Sequence, residues 1–321
     1  MTEETISCLI KPWTIVKKIG SGSTSSVYEI ENTDNTALPH KALKIVEYKE
    51  LRPNPDKTIS FRISPVDYVR REQYAYELIE SFPETSHVVR ISDFRLVDDN
   101  KDRYVLEEMD LYQPLPEYVK SKALTLADLL RLATELCDVL IECQKLHIIH
   151  RDIKSENILV DEDGHFYLAD FGSAIKVIQG HKPKGIAGTQ NYMAPEVFHG
   201  EAYDYTIDQY SLGMVLYKLL NNNRFPFLPE SGMISSRDET LSIKERMSGS
   251  KLPLPQKGKG YLGRIICKAC RFDPNKRYQS AEKLKRALKI ASIWMHFTGA
   301  IKKVVMDPDL VVPDRTKSLT Q

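Results

Sequence analysis

Three short stretches carry the residue types that could do chemistry. The first is Gly20-Ser-Gly22-Ser-Thr-Ser25-Ser-Val27, between two β-type runs. Glycines let backbone N–H groups come close to a phosphate, because no Cβ intervenes. The stretch is not a dinucleotide fingerprint, since no helix pattern follows it. It is not a Walker A loop either, since no GK[ST] closes it. The second is His150-Arg-Asp152-Ile-Lys154-Ser-Glu-Asn157, which puts a carboxylate, two cations and an amide in one short loop. The third is Asp170-Phe-Gly172. An amide and a carboxylate delivered from neighbouring loops can hold magnesium, a hard cation that prefers oxygen. Any one of these stretches arises by chance; their order and spacing together do not.

The elements that must position these residues fall into two kinds. Over the first ~115 residues, short β-type runs dominate: 13–20, 26–30, 41–46, 88–91 and 103–107, with the polar turn 98–102 between the last two. One helix pattern interrupts them, from about Asp67 to Ser81. The second half is mostly helical. Thr125-Leu-Ala-Asp128 reads as a capping box opening a long helix that stops near Leu146. Runs 157–160 and 165–168 around Asp161-Glu-Asp-Gly164 read as a small hairpin. Helical periods return at 206–220, around Ile265, and at 280–297. The tail beyond about residue 298 reads as loosely ordered. A β-rich part followed by a helical part predicts an α+β fold with two lobes and a cleft where ligands favour binding.

Composition excludes several classes. The chain has 321 residues, 42% hydrophobic and 28% charged, a globular balance rather than a disordered one. Lys plus Arg is 45 against 44 for Asp plus Glu, so no global charge calls for nucleic acid or a membrane surface. No stretch approaches the ~18 apolar residues of a membrane span. Met1-Thr2-Glu3-Glu4 has no apolar run of a leader. Cys8, Cys137, Cys143, Cys267 and Cys270 form an odd, scattered set, read as reduced thiols in a cytoplasm. Cys267-Lys-Ala-Cys270 is a single CxxC with no second pair and reads as part of a buried helix face.

Taken together, the three stretches resemble the eukaryotic-type serine/threonine protein kinase family, over about residues 13–290. The resemblance implies a bilobal fold, with a β-rich N-lobe of about 13–107 carrying one helix, a helical C-lobe of about 111–290, an extension at 1–12 and a tail at 291–321. It implies ATP and Mg²⁺ as cofactors and protein substrates bearing Ser or Thr hydroxyls. In that comparison Ile19, Gly20, Ser21, Gly22 and Val27 cover the nucleotide, with Ala42 beside it. Lys44, in Lys41-Ala-Leu-Lys44, pairs the phosphates, and Glu72 is its partner on the helix, with Glu77 as the alternative. Asp152 is the base that accepts or orients the substrate hydroxyl, Lys154 neutralises the transferring phosphoryl group, and Asn157 and Asp170 hold the metal. Ala194-Pro-Glu196 closes the activation segment, Arg277 matches the buried partner of Glu196, and Asp208 matches the residue that braces the catalytic loop. Lys154 and Gly188-Thr189 resemble the serine/threonine branch, where Thr189 supports the substrate hydroxyl.

Four departures from the family pattern stand out. Ser25 replaces a third glycine. Glu107 aligns with the back of the adenine pocket, where a charge is unusual and must find a partner or water. Hinge contacts to adenine then fall to the backbone of Glu108 and Met109. The connection between Lys44 and Glu72 is long and contains Pro53, Pro55 and Pro65. Residues 174–188 contain no Ser, Thr, Tyr, Asp or Glu, so Arg151 lacks the usual phosphate acceptor and activity is expected without phosphorylation there. Two other readings compete: a pseudokinase acting as a nucleotide-binding or scaffold module, and a small-molecule phosphotransferase of related fold. Lys44, Glu72, Asp152, Asn157 and Asp170 argue against the first, Ala194-Pro-Glu196 and Arg277 against the second.

Overall fold

A computed structural model describes residues 3–21, 25–49, 65–99, 102–178, 180–258 and 260–306. Gly22 and most of the proline-containing connection between Lys44 and Glu72 lie outside the described residues. The chain divides into two compact units, whose main segments are Met1–Ser81 with Val89–Tyr112, and Phe82–Val88 with Gln113–Leu319.

The first unit is built on an antiparallel sheet. Its strands are β1 (Trp13–Ser21), β2 (Ser25–Asn32), β3 (Lys41–Lys49), β4 (Ile91–Asp99) and β5 (Asp102–Asp110), in the order β1-β2-β3-β5-β4. Successive side chains alternate between faces. Leu43, Ile45 and Leu106 therefore join Ile30 and Tyr104 in one core cluster, closed by Ile6 and Ile10 at and just beyond helix α1 (Glu3–Leu9). Burying one such aliphatic side chain contributes about 1.5–3 kcal/mol. Val46 and Val105 form a second cluster with Val69 of α2 (Pro65–Glu80) and Phe94. Lys44 lies two residues from Val46 and pairs across strands with Glu107. The same period that buries the valines beside α2 thus delivers Lys44 and Glu107 to that helix. On α2, Glu72, Ala75 and Ile79 are buried at helical spacing.

The run predicted as a strand at 88–91 is displaced in the structure. β4 begins at Ile91 and continues to Asp99, while Val88 makes a single parallel bridge to Leu168. The short apolar run 88–91 marks the approach to the strand. The strand itself is the mixed run after it, whose pairing with β5 sustains residues that period alone would not select.

The second unit contains β6 (Gln113–Pro114), α3 (Leu115–Ser121), β7 (Leu124–Thr125) and α4 (Leu126–Lys145). Then come β8 (Ile148–Ile149), the hairpin β9 (Ile158–Val160) and β10 (Phe166–Leu168), and β11 (Ile175–Lys176). Helices α5 (Pro195–Phe198), α6 (Thr206–Leu220), α7 (Ser236–Met247), α8 (Tyr261–Ala269) and α9 (Ala281–Phe297) follow, and β12 (Val304–Met306) closes the described part. The expected capping box is present: Thr125 Oγ1 accepts from Asp128 N at 3.2 Å, and Asp128 Oδ2 accepts from Thr125 N at 2.9 Å. Every residue of α6 is buried, as befits a helix packed on all sides. Gly213 permits that packing: a Cβ there would lie 2.5 Å from Cys270 Sγ at the end of α8.

Helix α7 has no counterpart in the sequence reading, although Ser235 and Asp238 form a full capping box. Its buried side chains are only Ser242, Arg246 and Met247, so no apolar stripe announces it. The tail also departs from expectation. β12 pairs antiparallel with β7, Val305 is fully buried, and Leu126 N donates to Lys303 O at 2.9 Å. The tail backbone thereby satisfies an N–H of the first turn of α4. Cys270 is buried as the helix-face reading expects, Cys267 is half-buried, and both are free. Among the described residues, no helix is long and apolar enough to cross a membrane.

Candidate active site

In the second unit, the segment after β8 is braced from below. The Asp208 carboxylate at the start of α6 accepts the backbone N–H groups of His150 (2.8 Å) and Arg151 (2.9 Å). Full burial pushes its pKa up, and the nearby His150 and the two backbone donors pull it back. Arg151 sits at φ 69°, an unusual backbone state for a residue with a side chain. It is held there by Asp208 and by its own guanidinium, which donates to Ser173 O (2.7 Å) and Tyr203 Oη (3.2 Å). His150 Nε2 lies 3.1 Å from Ala169 O, and its ring packs edge-on against Phe171.

The loop turns Asp152 into a small polar cluster. Lys154 Nζ is 2.8 Å from Asp152 Oδ2, and Thr189 Oγ1 donates to Asp152 Oδ1 at 2.8 Å. Lys154 also reaches Thr189 Oγ1 at 3.3 Å. Asn157 Nδ2 donates to Asp152 O (2.9 Å) and Oδ2 (3.3 Å), which leaves its Oδ1 as the atom that can accept or ligate. Burial alone would lower the Lys154 pKa. Asp152, then Asp170 and Glu156, outweigh it and hold the ammonium above its ordinary value. Asp170 takes a left-handed conformation (φ 61°) and accepts Gly172 N at 3.4 Å, opening the tight turn 171–173.

Gly188 explains how Thr189 gets so close. Its φ is +92°, and a Cβ there would sit 2.2 Å from Arg151 O. The chain can press against the catalytic-type loop only because that position is glycine. Further on, Glu196 and Arg277 form a bidentate pair at 2.6 Å and 2.6 Å, with side chains 4% and 0% exposed. Arg277 also donates to Arg271 O and Phe272 O, so the guanidinium is well supplied with acceptors.

In the first unit, Lys44 Nζ lies between two carboxylates, 3.3 Å from Glu72 Oε2 and 2.9 Å from Glu107 Oε2. Glu72 is therefore the helix partner; the alternative, Glu77, is not. The sequence reading required Glu107 to find a partner, and Lys44 is that partner. Glu107 is 3% exposed. Burial pushes its pKa up to about 7, with Lys44 opposing and Glu72 adding to the rise. Glu108 and Met109 sit inside β5, opposite Leu43 and Ala42 on β3. The Glu108 carbonyl already accepts from Ser92 Oγ (3.2 Å), and its carboxylate binds Lys41 Nζ at 2.6 Å. No motif signalled the Lys41–Glu108 pair or the Tyr203 contact to Arg151, which join segments far apart in the chain. Gly20 pairs with Val27 across β1 and β2, and Ile19 is exposed. A Cβ on Gly20 would make only ordinary contact with Val27 at 3.6 Å, so packing does not demand glycine there.

A family model described as "Protein kinase domain" matches residues 13–288. The chain belongs to the protein kinase family. Its relatives are serine/threonine kinases of the eukaryotic type. Serine/threonine-protein kinase 32C of Mus musculus is 27% identical over 287 residues, 87% of this chain and 54% of that protein. Serine/threonine-protein kinase 32B of Homo sapiens is 29% identical over 301 residues, 91% of this chain and 66% of that protein. Rhodopsin kinase GRK1 of Rattus norvegicus is 34% identical over 135 residues, 40% of this chain and 22% of that protein. The kinase chain spans about half the length of the first of these relatives.

Proposed function

We propose that this protein kinase transfers the γ-phosphoryl group of Mg-ATP to Ser or Thr hydroxyls of protein substrates. The observation that carries the reading is the Asp152 cluster: one carboxylate held by Lys154, Asn157 and Thr189 through separate hydrogen bonds. Such a carboxylate is oriented to accept a hydroxyl proton, while Lys154 remains an ammonium available to charge on a transferring group. Asn157 Oδ1 and the Asp170 carboxylate are hard oxygen donors, a set that suits Mg²⁺, which would neutralise phosphate charge. Lys44, steadied by Glu72, serves the α- and β-phosphates, and Ile19, Gly20, Ser21, Val27 and Ala42 flank the nucleotide. Gly20 fits that role, because a close phosphate accounts for a glycine that packing does not require. The Ser/Thr preference rests on Lys154 and Thr189. A reducing compartment such as the cytoplasm suits the five free cysteines.

The test is transfer of ³²P from labelled ATP to a generic protein such as casein, followed by phosphoamino-acid analysis. Phosphoserine or phosphothreonine is expected, and Asp152→Asn should cut the rate about 10²–10⁴-fold. One observation favours the non-catalytic alternative: Glu107 competes with Glu72 for Lys44. Nucleotide binding without any transfer by the wild type would establish that second reading.

A further inference from the structure

We propose that His87, Glu135 and His165, in the second unit, form a binding site for a zinc-class divalent cation. Their ligand atoms all lie within 4.8 Å of one another. Glu135 Oε1 is 2.7 Å from His165 Nδ1 and 3.6 Å from His87 Nε2. Tetrahedral zinc with bonds of ~2.0–2.1 Å sets ligand atoms about 3.4 Å apart, so small side-chain rotations open one distance and close the other. Two imidazoles and a carboxylate are the donors that zinc and its transition-metal neighbours take, whereas Mg²⁺ prefers all-oxygen shells. The set therefore differs in chemistry from Asn157 and Asp170.

The frame around the three ligands is already built. Glu135, on α4, is 8% exposed, and its Oε2 accepts the Phe166 backbone N–H at 2.8 Å. That bond holds the carboxylate with Oε1 toward both rings, as an outer-shell partner does in metal sites. The His87 carbonyl accepts Leu168 N at 2.9 Å, and His165 N donates to Asp161 Oδ1 at 2.7 Å. Both histidines are thus tied by their backbones to the β9–β10 hairpin. Tyr167 flanks the His87 ring at 5.2 Å. Nearby charges are Asp161, which favours a cation, and Arg131, which opposes one from α4. The His165 side chain is 45% exposed, which leaves a coordination position open to water. A bound ion would fasten α4, the 82–88 segment and the hairpin together.

The experiment uses the full chain, stripped with a chelator and titrated with ZnCl₂ against a competing zinc indicator at pH 7.5. A Cys8→Ser/Cys267→Ser background, with its most accessible thiols removed, keeps them out of the measurement. One equivalent of zinc is expected, displaced at pH 5.5 and unaffected by excess MgCl₂. Losing an outer-shell partner costs about 10–100-fold in metal affinity, so His165→Ala and His87→Ala should each weaken binding by at least about 10-fold. Zinc should raise the Tm of the parent and not of these variants. His165→Gln and His87→Gln, checked for folding by circular dichroism, repeat the test with bulkier side chains. Absence of zinc binding overturns the proposal, as does binding that survives loss of either histidine in a folded variant.

Discussion

Glu107→Gln should stabilise the protein at neutral and alkaline pH and change little near pH 4. The carboxyl is 3% exposed, and burial raises its pKa from 4.5 to about 7, against the pull of Lys44 at 2.9 Å. The rise is the reverse of the usual ion-paired carboxylate. Between those two values the folded state binds the extra proton, so stability is fullest below the unfolded pKa and declines as pH climbs through the folded one. At about 1.4 kcal/mol per pH unit, the interval from 4.5 to about 7 amounts to roughly 3 kcal/mol at pH 8. Glutamine keeps the shape of the protonated form and removes the titration. The advantage of the variant should thus be near zero at pH 4, about 2 kcal/mol at pH 6 and roughly 3 kcal/mol at pH 8.

Urea unfolding at several pH values measures this directly. Trp13 packs against the first unit's core and reports its loss by fluorescence, and a Trp294→Phe background silences the other indole. If the gap between variant and parent stays constant from pH 5 to 8, or if Gln destabilises at pH 8, the account of Glu107 as a burial-strained acid is wrong. A linked kinetic outcome follows from the proposed activity. With one carboxylate fewer around Lys44, the KM for ATP should fall in Glu107→Gln, and most at pH 8.

Glu196→Gln should cost about 3–5 kcal/mol, because it leaves Arg277 buried with its charge uncompensated; thermal denaturation of the variant checks it. Replacing both residues with apolar ones of similar volume should cost less than the single change. Gly188→Ala should lower kcat far more than it alters ATP binding, since a Cβ 2.2 Å from Arg151 O displaces Thr189 from Asp152; steady-state kinetics with varied ATP separate the two. Protein co-expressed with a phosphatase should be active as purified. Arg151 already donates to Ser173 O and Tyr203 Oη, and residues 174–188 offer no hydroxyl or acid. Recovery of activity only after phosphorylation within the loop would refute that outcome.

What the sequence made legible follows the range of each interaction. The Thr125–Asp128 cap and the hairpin around Gly164 depend on neighbours within a few residues, and both are readable. The Asp152 loop belongs to the same class: Asp152, Lys154 and Asn157 find one another through a single short segment. Glu107 shows the intermediate case. Its need for a partner was plain from chemistry, but the partner depends on the register of β3 against β5, set by pairing along the whole of both strands. Tyr203 against Arg151, Gly188 against the Arg151 carbonyl and β12 against β7 lie beyond that range. No local pattern encodes them, because each joins surfaces that meet only when the unit has folded. The Ser235–Asp238 cap gives the converse: a correct local signal passed over because α7 buries too little for its period to show. Short motifs thus name the candidate groups, while the residues that hold them, Asp208 and the Glu196–Arg277 pair, are legible only through the family resemblance. Asp208, Gly188 and the Glu196–Arg277 pair are the long-range contacts that turn a sequence motif into a fixed arrangement of charges. Substitutions at those positions should therefore disturb catalysis without removing any group that would touch substrate.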